Sequence, residues 1–361
     1  MAKRIYNFSA GPAYLPEEVI RQAQQDIWSI FDSGIGVMEH SHRGKEFTRV
    51  LGEAEADCRA IGNISDDYAV LFLQGGATTQ FATIPMNFLG EGQTADYPDT
   101  GVWTTKAIKE AKLFGNVNIA FEGSACQYDH TPTAEELSLT DNAAYLHYCS
   151  NNTIFGSRYH TPPQSGAPLI CDMSSDIFSR ALDVNAHALI YAGAQKNLGP
   201  SGTALIIIRR DFMETGKDGL PIMFDYRKHA ASGSCLNTPP AFGIYMMGQV
   251  FKWILAQGGI GALEKRNDEK AKLIYDVIDN SGGFYRGISQ TACRSMMNVS
   301  FRTPSDELDK KFVEETLAQD MSGLKGHRSA GGLRASIYNA FPRKGCETLA
   351  EFMTEFAAKN G

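Results

Sequence analysis

Short apolar runs separated by helical patterns dominate the first two thirds of the chain. Five of these runs have the length of buried strands, and they cover residues 69–73, 144–148, 169–171, 188–191 and 204–208. Apolar spacing predicts helices over residues 16–32 and 45–61, and a third after Gly75-Gly76 that Pro85 must kink or end. Strands that alternate with helices favour an α/β fold, with a mainly parallel sheet between layers of helices.

The pattern changes after Gly258-Gly259. Beyond these glycines the sequence predicts two helices and two strands, over residues 262–279, 346–358, 296–302 and 333–338 respectively. This mixture indicates a smaller α+β domain at the C-terminal end. We therefore predict a large domain over residues 16–258 and a small domain built from residues 1–15 and 259–361.

The charge balance limits the kinds of partner that we expect. The 361 residues include 34 Lys and Arg and 41 Asp and Glu, which gives a net charge of -7. A mildly acidic chain has no general attraction for nucleic acid or for anionic lipid, so we expect neither as a partner. Any anionic ligand must therefore be held by a local cluster of cations.

Several kinds of segment are missing from the sequence. No apolar run approaches the roughly 18 residues of a membrane helix, and we expect no secretory signal because the first residues lack an apolar region. The seven cysteines are scattered and form no C-x-x-C pair, so we expect free thiols in a reducing cytoplasm and no metal site. The glycine motifs of P-loop and dinucleotide-binding proteins are also absent.

A lysine in a loop of small residues is the most informative single position. Lys196 lies in the sequence ALIYAGAQKNLGPSG, residues 188–202, between one predicted strand and the next. Small neighbours let a bulky ligand approach the backbone, and desolvation lowers the pKa of an amine enough for Schiff-base chemistry. A solvated loop lysine is the alternative, and Lys196 alone does not exclude it.

An acidic residue and a glycine-rich turn supply what such a lysine needs if it binds pyridoxal phosphate. Asp172 ends the predicted strand PLICD, at the edge where α/β sheets bind ligands, although it could instead cap a helix. An acid there would keep the pyridine nitrogen protonated. The segment LFLQGGATTQF, residues 71–81, places two glycines and two threonines at a helix N-terminus, which suits a phosphate group. A plain strand-turn-helix connection is the alternative for this segment.

Together these segments resemble the phosphoserine aminotransferase family of fold-type I pyridoxal phosphate enzymes. The resemblance runs nearly from end to end, in the motifs NFSAGPAYLP (7–16), SHRGKEF (41–47), QGGATTQF (74–81), CDMSSD (171–176), AQKNLGPSG (194–202), NTPP (237–240) and GHRSAGGLRASIYNA (326–340). It implies a fold-type I architecture and a reversible amino transfer between 3-phospho-L-serine and 2-oxoglutarate, which gives 3-phosphohydroxypyruvate and L-glutamate in L-serine biosynthesis. It leaves open whether 4-phosphohydroxy-L-threonine is also a substrate.

The resemblance also implies roles for residues around the cofactor. Lys196 would hold pyridoxal phosphate as a Schiff base and move the substrate proton, and Asp172 would pair with the pyridine nitrogen. Trp103 would stack on the cofactor ring, and Thr153 would bond the ring hydroxyl. The residues that would hold the phosphate are Ala77, Thr78 and Gln195, with Asn237 and Thr238 from a second subunit. The active protein would then be a homodimer with shared active sites.

The same resemblance assigns cations to the two acidic ends of the substrate. Arg334 lies on a predicted strand, where a charge between apolar neighbours needs a partner, and it would bind the α-carboxylate as a bidentate fork. The phosphate of phosphoserine, or the side-chain carboxylate of glutamate, would meet two pairs: His42 with Arg43, and His327 with Arg328. Each pair taken alone could be a solvated loop.

One departure from the family and two rival functions stay open. Thr78-Thr79 stands where some members carry Gly-Arg, which removes one cation near the phosphates. Another fold-type I enzyme, such as an alanine–glyoxylate transaminase or a cysteine desulfurase, would share Lys196 and Asp172 without needing the His-Arg pairs. A non-catalytic cofactor-binding protein could have lost Arg334, which this chain keeps.

Overall fold

The computed structural model describes residues 3–361, and this part of the chain forms twelve strands and ten α-helices. The strands are β1 (Tyr6–Asn7), β2 (Tyr68–Gln74), β3 (Thr94–Asp99), β4 (Asn116–Glu122), β5 (Leu146–Cys149), β6 (Leu169–Asp172), β7 (Leu189–Gly193), β8 (Thr203–Arg209), β9 (Arg286–Gly287), β10 (Asn298–Arg302), β11 (Met321–Ser322) and β12 (Leu333–Ser336). The helices are α1 (Glu17–Asp26), α2 (Lys45–Gly62), α3 (Gly76–Phe88), α4 (Val102–Ala111), α5 (Arg210–Glu214), α6 (Tyr226–Ala231), α7 (Ala241–Ala256), α8 (Gly259–Asp279), α9 (Asp306–Ala318) and α10 (Arg343–Asn360). None of these helices has both the length and the apolar character that crossing a membrane requires.

Seven strands form one central sheet in the order β2-β8-β7-β6-β5-β3-β4. Every neighbouring pair is parallel except the two pairs that include β8, which runs in the opposite direction. The prediction of a mainly parallel sheet is therefore confirmed. Because the other six strands all point the same way, their carboxyl ends share one edge, where α/β proteins bind ligands.

Apolar clusters cover both faces of this sheet. Along β7, Ile190 and Ala192 join a cluster that includes residues of α2 and α7, whereas Leu189 and Tyr191 join a cluster that includes residues of α3 and α4. Successive side chains of a strand point to opposite faces, so a strand covered on both faces must be apolar throughout. This explains why the predicted strands are continuous apolar runs, and it confirms the predicted layers of an α/β fold.

The apolar pattern does not predict β3 or β4. Strand β3 contains Asp96 and Pro98, two residue types that are rare inside strands. Asp96 is nevertheless buried, because its carboxylate accepts hydrogen bonds from Asn118 Nδ2 and from the backbone N–H of Thr140, both at 2.9 Å. The strand register shifts between Tyr97 and Pro98, which accommodates the missing N–H of the proline. Tertiary contacts therefore override the local pattern here.

Helix α1 ends earlier than predicted, whereas Pro85 does not end α3. Helix α1 stops at Asp26 rather than near residue 32, because Phe31 and Asp32 have φ values of 53° and 55°, which an α-helix cannot contain. Helix α3 continues past Pro85 and ends three residues later at Phe88. The early end of α1 leaves a loop between α1 and α2 in which Ile30 and Val37 enter the core, whereas other apolar side chains such as Trp28 stay exposed.

A second apolar core lies in the C-terminal part of the chain. It is built on the three-stranded sheet β12-β10-β9 and on helices α8, α9 and α10. Phe8 from the N-terminal segment joins this core, and β1 pairs in parallel with β11. Helix α8 reaches both cores, since Leu263 packs below the central sheet and Ile274 in the C-terminal part. The predicted division into two domains, with its boundary at Gly258-Gly259, stays a prediction.

Buried polar side chains join the two parts beside the turn after β7. The backbone N–H of Asn339 donates to Asn197 Oδ1 at 3.0 Å, and Asn267 Nδ2 donates to Asn339 Oδ1 at 2.8 Å. The ammonium group of Lys270, in α8, is fully buried and donates to three carbonyl groups between residues 337 and 341, at 2.7 to 3.2 Å. Because unpaired buried polar groups are costly, these bonds fix the segment after β12 against α8, and the bond with Asn197 ties it to the turn after β7.

Candidate active site

The carboxyl edge of the central sheet gathers most of the predicted site residues. Asp172 is the last residue of β6, Thr153 follows β5, and Trp103 lies in the first turn of α4, after β3. Lys196 lies in the turn between β7 and β8. Because these strands are parallel and adjacent, their ends place residues from distant parts of the sequence side by side.

Lys196 extends toward the segment that follows β5. Its Nζ donates a hydrogen bond to Thr153 Oγ1 at 2.6 Å and lies 5.6 Å from the ring centre of Trp103. The residue keeps part of its surface accessible, yet the surrounding protein desolvates the ammonium group and lowers the pKa of Lys196. A lysine of lowered pKa is a better nucleophile and proton acceptor at neutral pH, which is what the predicted role requires.

Asp172 is buried at the end of β6, with one carboxylate oxygen held and the other free. Oδ1 accepts hydrogen bonds from the backbone N–H and the hydroxyl of Ser174, at 2.9 and 2.6 Å, whereas Oδ2 accepts none from residues 3–361. Burial raises the pKa of Asp172, and the positive charge of Lys196 opposes this increase. No α-helix begins directly after Asp172, so the alternative of a helix cap is wrong. Oδ2 is therefore available to a cationic N–H group of a ligand.

The chain just before Trp103 is packed tightly against the Thr153 segment. Gly101 has a φ of 150°, and a Cβ built on it would lie 2.1 Å from Asn152 Nδ2. That amide donates in turn to the carbonyl of Thr100 at 2.5 Å. The indole Nε1 of Trp103 is buried and has no hydrogen-bond partner among the described residues. The contacts between their two segments therefore fix Trp103 and Thr153 relative to each other.

Two glycines with positive φ precede the body of α3. Gly75 and Gly76 have φ values of 96° and 69°, and no side chain caps the helix. The backbone N–H groups of the first turn are therefore free to bind an anion, and Thr78 is exposed beside them. Ala77 and Gln195 both border the end of β7, where Gln195 Oε1 is buried without a partner. This arrangement suits a phosphate group.

Arg334 is a partly buried cation without an acidic partner. It lies on β12 opposite Ser300 of β10, and its guanidinium forms a long hydrogen bond of 3.4 Å to the carbonyl of Thr153. Its Nε is buried and unbonded, and burial lowers the pKa of Arg334. No ion pair joins Arg334 to any acid within residues 3–361, so its charge is available to a carboxylate of a ligand.

The loop of His327 and Arg328 approaches the same place from the C-terminal part. Ala330 of this loop packs with Ile154 and Phe155, next to Thr153, in a small apolar cluster that also touches Trp103. Burial lowers the pKa of His327, and so do three nearby cations: Arg334, Arg328 and Lys106. The loop of His327 and Arg328 therefore lies beside the segment that follows β5, where Thr153 accepts hydrogen bonds from Lys196 and Arg334.

His42, Arg43, Asn237 and Thr238 form a separate group in this chain. Burial raises the pKa of Cys235, and the charge of Arg43 opposes this increase, which places Arg43 near the loop of residues 235–238. Asn237 Nδ2 donates to Oε1 of Gln74, the last residue of β2, at 3.1 Å. Within residues 3–361, no hydrogen bond or ion pair links this group to Lys196. A single chain thus assembles most of the predicted site but not all of it.

The sequence does not predict the contacts that hold the turn of Lys196 in place. Asn197 is buried and donates to the carbonyl of Ser175 at 2.8 Å, in addition to its bond with the segment after β12. Gly11 has a φ of 153°, and a Cβ built on it would lie 3.3 Å from the side chain of Gln195. The backbone N–H of Ala13 donates to the carbonyl of Gln195 at 2.9 Å. The N-terminal motif therefore braces the turn after β7.

Sequence reasoning also missed Lys106. Its Nζ lies 4.7 Å from the ring centre of Trp103, on the same helix. The spacing of three residues could have revealed this contact, because residues i and i+3 share one side of a helix.

Cys126, Asp129 and His130 form a group of potential metal ligands that the sequence does not predict. Their ligand atoms lie within 4.8 Å of one another. His130 Nδ1 is 2.6 Å from Asp129 Oδ1, and Nε2 is 3.3 Å from Glu136 Oε1, and the bond with Asp129 raises the pKa of His130. A protonated imidazole between two carboxylates explains this group without an ion. The predicted lack of a metal site stays a prediction.

Known proteins match this chain over its whole length. The family model for aminotransferase class-V matches residues 5–349. The phosphoserine aminotransferase of Herpetosiphon aurantiacus is 51% identical over 358 residues, which cover 99% of both chains. The structure of the phosphoserine aminotransferase from Bacillus circulans subsp. alkalophilus covers 100% of both chains, with 50% identity and a TM-score of 0.97. A PLP-bound phosphoserine aminotransferase from Trichomonas vaginalis covers 97% of this chain and 99% of its own, with 38% identity and a TM-score of 0.91.

The rival families share the fold at much lower identity. An alanine–glyoxylate aminotransferase from Nostoc sp. is 15% identical, with a TM-score of 0.73 and coverage of 99% of this chain and 96% of its own. A cysteine desulfurase from Thermococcus onnurineus is 12% identical, with a TM-score of 0.75 and coverage of 98% and 95%. Identities this low show the fold alone, in agreement with the predicted fold-type I architecture. Since the full-length matches at high identity all carry one name, the chain belongs to the phosphoserine aminotransferases, within the class-V aminotransferase family.

Proposed function

We propose that this chain catalyses the reversible transfer of an amino group from 3-phospho-L-serine to 2-oxoglutarate, giving 3-phosphohydroxypyruvate and L-glutamate in L-serine biosynthesis. The observation that carries the proposal is the position of Lys196, hydrogen-bonded to Thr153 beside the buried Asp172. The unpaired Arg334 approaches the same Thr153. Relatives that align over their full length and bear the name of this activity support the same reaction.

The residues at this edge of the sheet fit pyridoxal phosphate. The uncapped first turn of α3, with Ala77, Thr78 and Gln195, would hold its phosphate. The free Oδ2 of Asp172 would accept a hydrogen bond from its protonated pyridine nitrogen, and Lys196 would bind its aldehyde carbon. When bound, pyridoxal phosphate supplies an electron sink for negative charge at the substrate Cα.

Lys196 Nζ is the group that would move the substrate proton. Because burial lowers its pKa, a larger share of this amine is neutral at physiological pH than in a solvated lysine. A neutral amine can accept the proton of the substrate Cα and deliver it again on the other side of the transfer. Thr153, which accepts a hydrogen bond from Nζ, keeps the amine at this edge of the sheet.

Cations on the C-terminal side would hold the two acidic ends of the substrate. Arg334 would take the α-carboxylate in a bidentate contact, since all amino acid substrates and 2-oxoglutarate share this group. His327 and Arg328 would contact the phosphate of phosphoserine or the distal carboxylate of glutamate. The substrates of both halves of the reaction carry an α-carboxylate at one end and a phosphate or carboxylate at the other. One site can therefore serve both halves.

We infer that the active protein is a homodimer in which His42 and Arg43 complete the site of the partner subunit. The loop of residues 27–38, called the apolar loop below, exposes large side chains: Ile27 (41%), Trp28 (85%), Phe31 (38%), Ile35 (44%) and Met38 (56%). Several large exposed apolar side chains in one loop are typical of a protein interface. A symmetric dimer through this loop would cover it and bring the separate group that contains Arg43, Asn237 and Thr238 to the other subunit.

We also propose that the protein works in a reducing cytoplasm, without a nucleic acid or membrane partner. All seven cysteines are free thiols in this structure, and four of them are buried. The net charge of -7 argues against binding to nucleic acid or to anionic lipid.

Placing a charge on the apolar loop tests the homodimer. We expect Trp28→Glu to weaken dimerisation by about 1000-fold, since a buried Trp is a typical hot spot and a two-fold interface contains it twice. Sedimentation equilibrium should then show monomers at micromolar protein. Leu113→Glu is the matched control, because Leu113 is 73% exposed and lies outside the apolar loop. A Trp28→Glu protein that remains as dimeric as the control would contradict the proposed interface.

Removing the charge of Arg43 tests the second cation pair. We expect Arg43→Gln to lower kcat/KM for phosphoserine by about 100-fold while alanine changes less than threefold, because only phosphoserine has a distal anion. Lys45→Gln is the control, since Lys45 is a neighbouring cation that is 91% exposed. Similar losses for phosphoserine and alanine would count against a phosphate contact.

Half-reaction spectroscopy of the purified holoenzyme tests the reaction itself. Phosphoserine and glutamate should both convert the cofactor to its amine form rapidly, whereas alanine, cysteine and other amino acids without a distal anion should do so slowly. Release of 3-phosphohydroxypyruvate should match the amount of cofactor converted. Fast conversion by alanine with none by phosphoserine would favour an alanine–glyoxylate enzyme instead, and release of sulfide from cysteine would favour a desulfurase.

A further inference from the structure

Lys106 is a cation near the site that the mechanism above does not use. It lies in α4, three residues after Trp103, and its Nζ is 4.7 Å from the centre of the indole ring. The side chain is exposed, and no carboxylate between residues 3 and 361 forms an ion pair with it. The protein itself therefore leaves the positive charge of Lys106 available.

The indole of Trp103 lies near both Lys106 and the reacting lysine. Lys196 Nζ is 5.6 Å from the same ring centre. Trp103 also touches the apolar cluster that contains Ala330, in the loop of His327 and Arg328. The charge of Lys106 also lowers the pKa of His327, in addition to the lowering by burial and by two arginines. Lys106 thus stands where α4 meets the loop that would receive the distal anion of the substrate.

We propose that Lys106 is a specificity-determining residue that favours substrates with a distal phosphate over substrates with a distal carboxylate. This inference rests on the proposed function and names a further part of the same site. A phosphate monoester carries nearly two negative charges at neutral pH, and a carboxylate carries one. A fixed cation therefore attracts the phosphate about twice as strongly at the same distance.

The chemistry of lysine suits such a role. An ammonium group is a compact point charge on a flexible stem, without the planar fork with which arginine fixes the orientation of a carboxylate. Lys106 can therefore add attraction for a distal anion while the His-Arg pairs set the position of that anion. Its exposure at the rim leaves the reacting atoms to Lys196, so we expect an effect on binding and not on the proton transfer.

The test compares Lys106→Gln with wild-type holoenzyme in rapid-mixing half-reactions. We expect the half-saturating concentration to rise about 10-fold for O-phospho-L-serine and about threefold for L-glutamate, since doubling an interaction energy squares the ratio of affinities. L-alanine, which has no distal anion, should change little, and the limiting rates should stay the same. Lys106→Arg should behave nearly as wild type.

Lys109→Gln is the matched control, because Lys109 is an exposed cation on the same helix, three residues further from Trp103. Equal changes for phosphoserine and glutamate, or any comparable change for alanine, would mean that Lys106 acts only by supporting Trp103. Equal effects of Lys106→Gln and Lys109→Gln would contradict the inference, because they would show that only the general surface charge matters. If the wild type converts phosphoserine but Lys106→Gln does not differ from it, the inference alone fails. If the wild type does not convert phosphoserine, the proposed function fails with it.

Discussion

Replacing Lys196 by alanine is expected to lower kcat for the transamination of phosphoserine by at least about 10⁴-fold, the upper end of the effect of a single acid–base group. The variant loses the amine that would bind the cofactor and carry the substrate proton. Its visible spectrum should change from that of lysine-bound to that of free pyridoxal phosphate. Borohydride should then attach no cofactor covalently to the protein, whereas it should do so in the wild type.

A second variant separates the amine from its charge. Lys196→Arg keeps a cation beside Asp172 and Thr153, but a guanidinium stays protonated and cannot accept a proton at neutral pH. We expect it to be as inactive as Lys196→Ala, while a small primary amine such as methylamine should restore part of the rate only in the alanine variant. Thermal unfolding should show that both variants fold. Covalent labelling by borohydride that persists in Lys196→Ala would assign the cofactor to another lysine.

Replacing Arg334 by alanine is expected to lower kcat/KM by about 10² to 10³-fold for every amino acid substrate, since a lost buried charge contact costs about 2–5 kcal/mol. Phosphoserine, glutamate and alanine should suffer alike, because the α-carboxylate is common to all three. Arg334→Lys should recover only part of the loss, since lysine cannot form a bidentate contact. Steady-state kinetics with the three amino acids would measure these ratios.

The stability of the Arg334 variants provides an independent check. Arg334 is partly buried and has no acidic partner within the described residues, so its removal leaves no carboxylate unpaired. We therefore expect the melting temperature of Arg334→Ala to stay the same or to rise. A large fall in the melting temperature would indicate a structural role. A loss of kcat/KM confined to phosphoserine would indicate that Arg334 contacts the distal anion and not the α-carboxylate.

The sequence predicts the centre of the site better than its surroundings. Lys196 and Asp172 each follow a continuous apolar run. Because strands buried on both faces must be such runs, the ends of these strands can be located from the apolar pattern alone. Strand β3 escapes this reasoning because Asp96 is buried through side-chain hydrogen bonds that no periodicity reveals. The bracing contact of Gly11 with the turn of Gln195 is likewise invisible, since it joins residues far apart in the sequence.

The apolar loop shows a second limit of the sequence. The apolar pattern continues beyond α1, and we predicted helix as far as residue 32, but Trp28 and Phe31 do not face the core of this chain. A periodicity cannot tell whether an apolar side chain packs within its own chain or against another. The same limit applies to His42 and Arg43, whose contact with the site depends on a second subunit in our proposal.

The pairing of β1 with β11 has a consequence for how the chain is made. Tyr6 leaves the ribosome more than three hundred residues before its partner Met321. At a synthesis rate of about 5–20 residues per second, the first strand must wait roughly 15–60 s before it can pair. During this time Phe8 has no core to enter, since the other members of that cluster begin at Ala271. The segment of β1 is therefore synthesised long before the strand and the core that receive it, and its apolar side chains lack their native partners during that time.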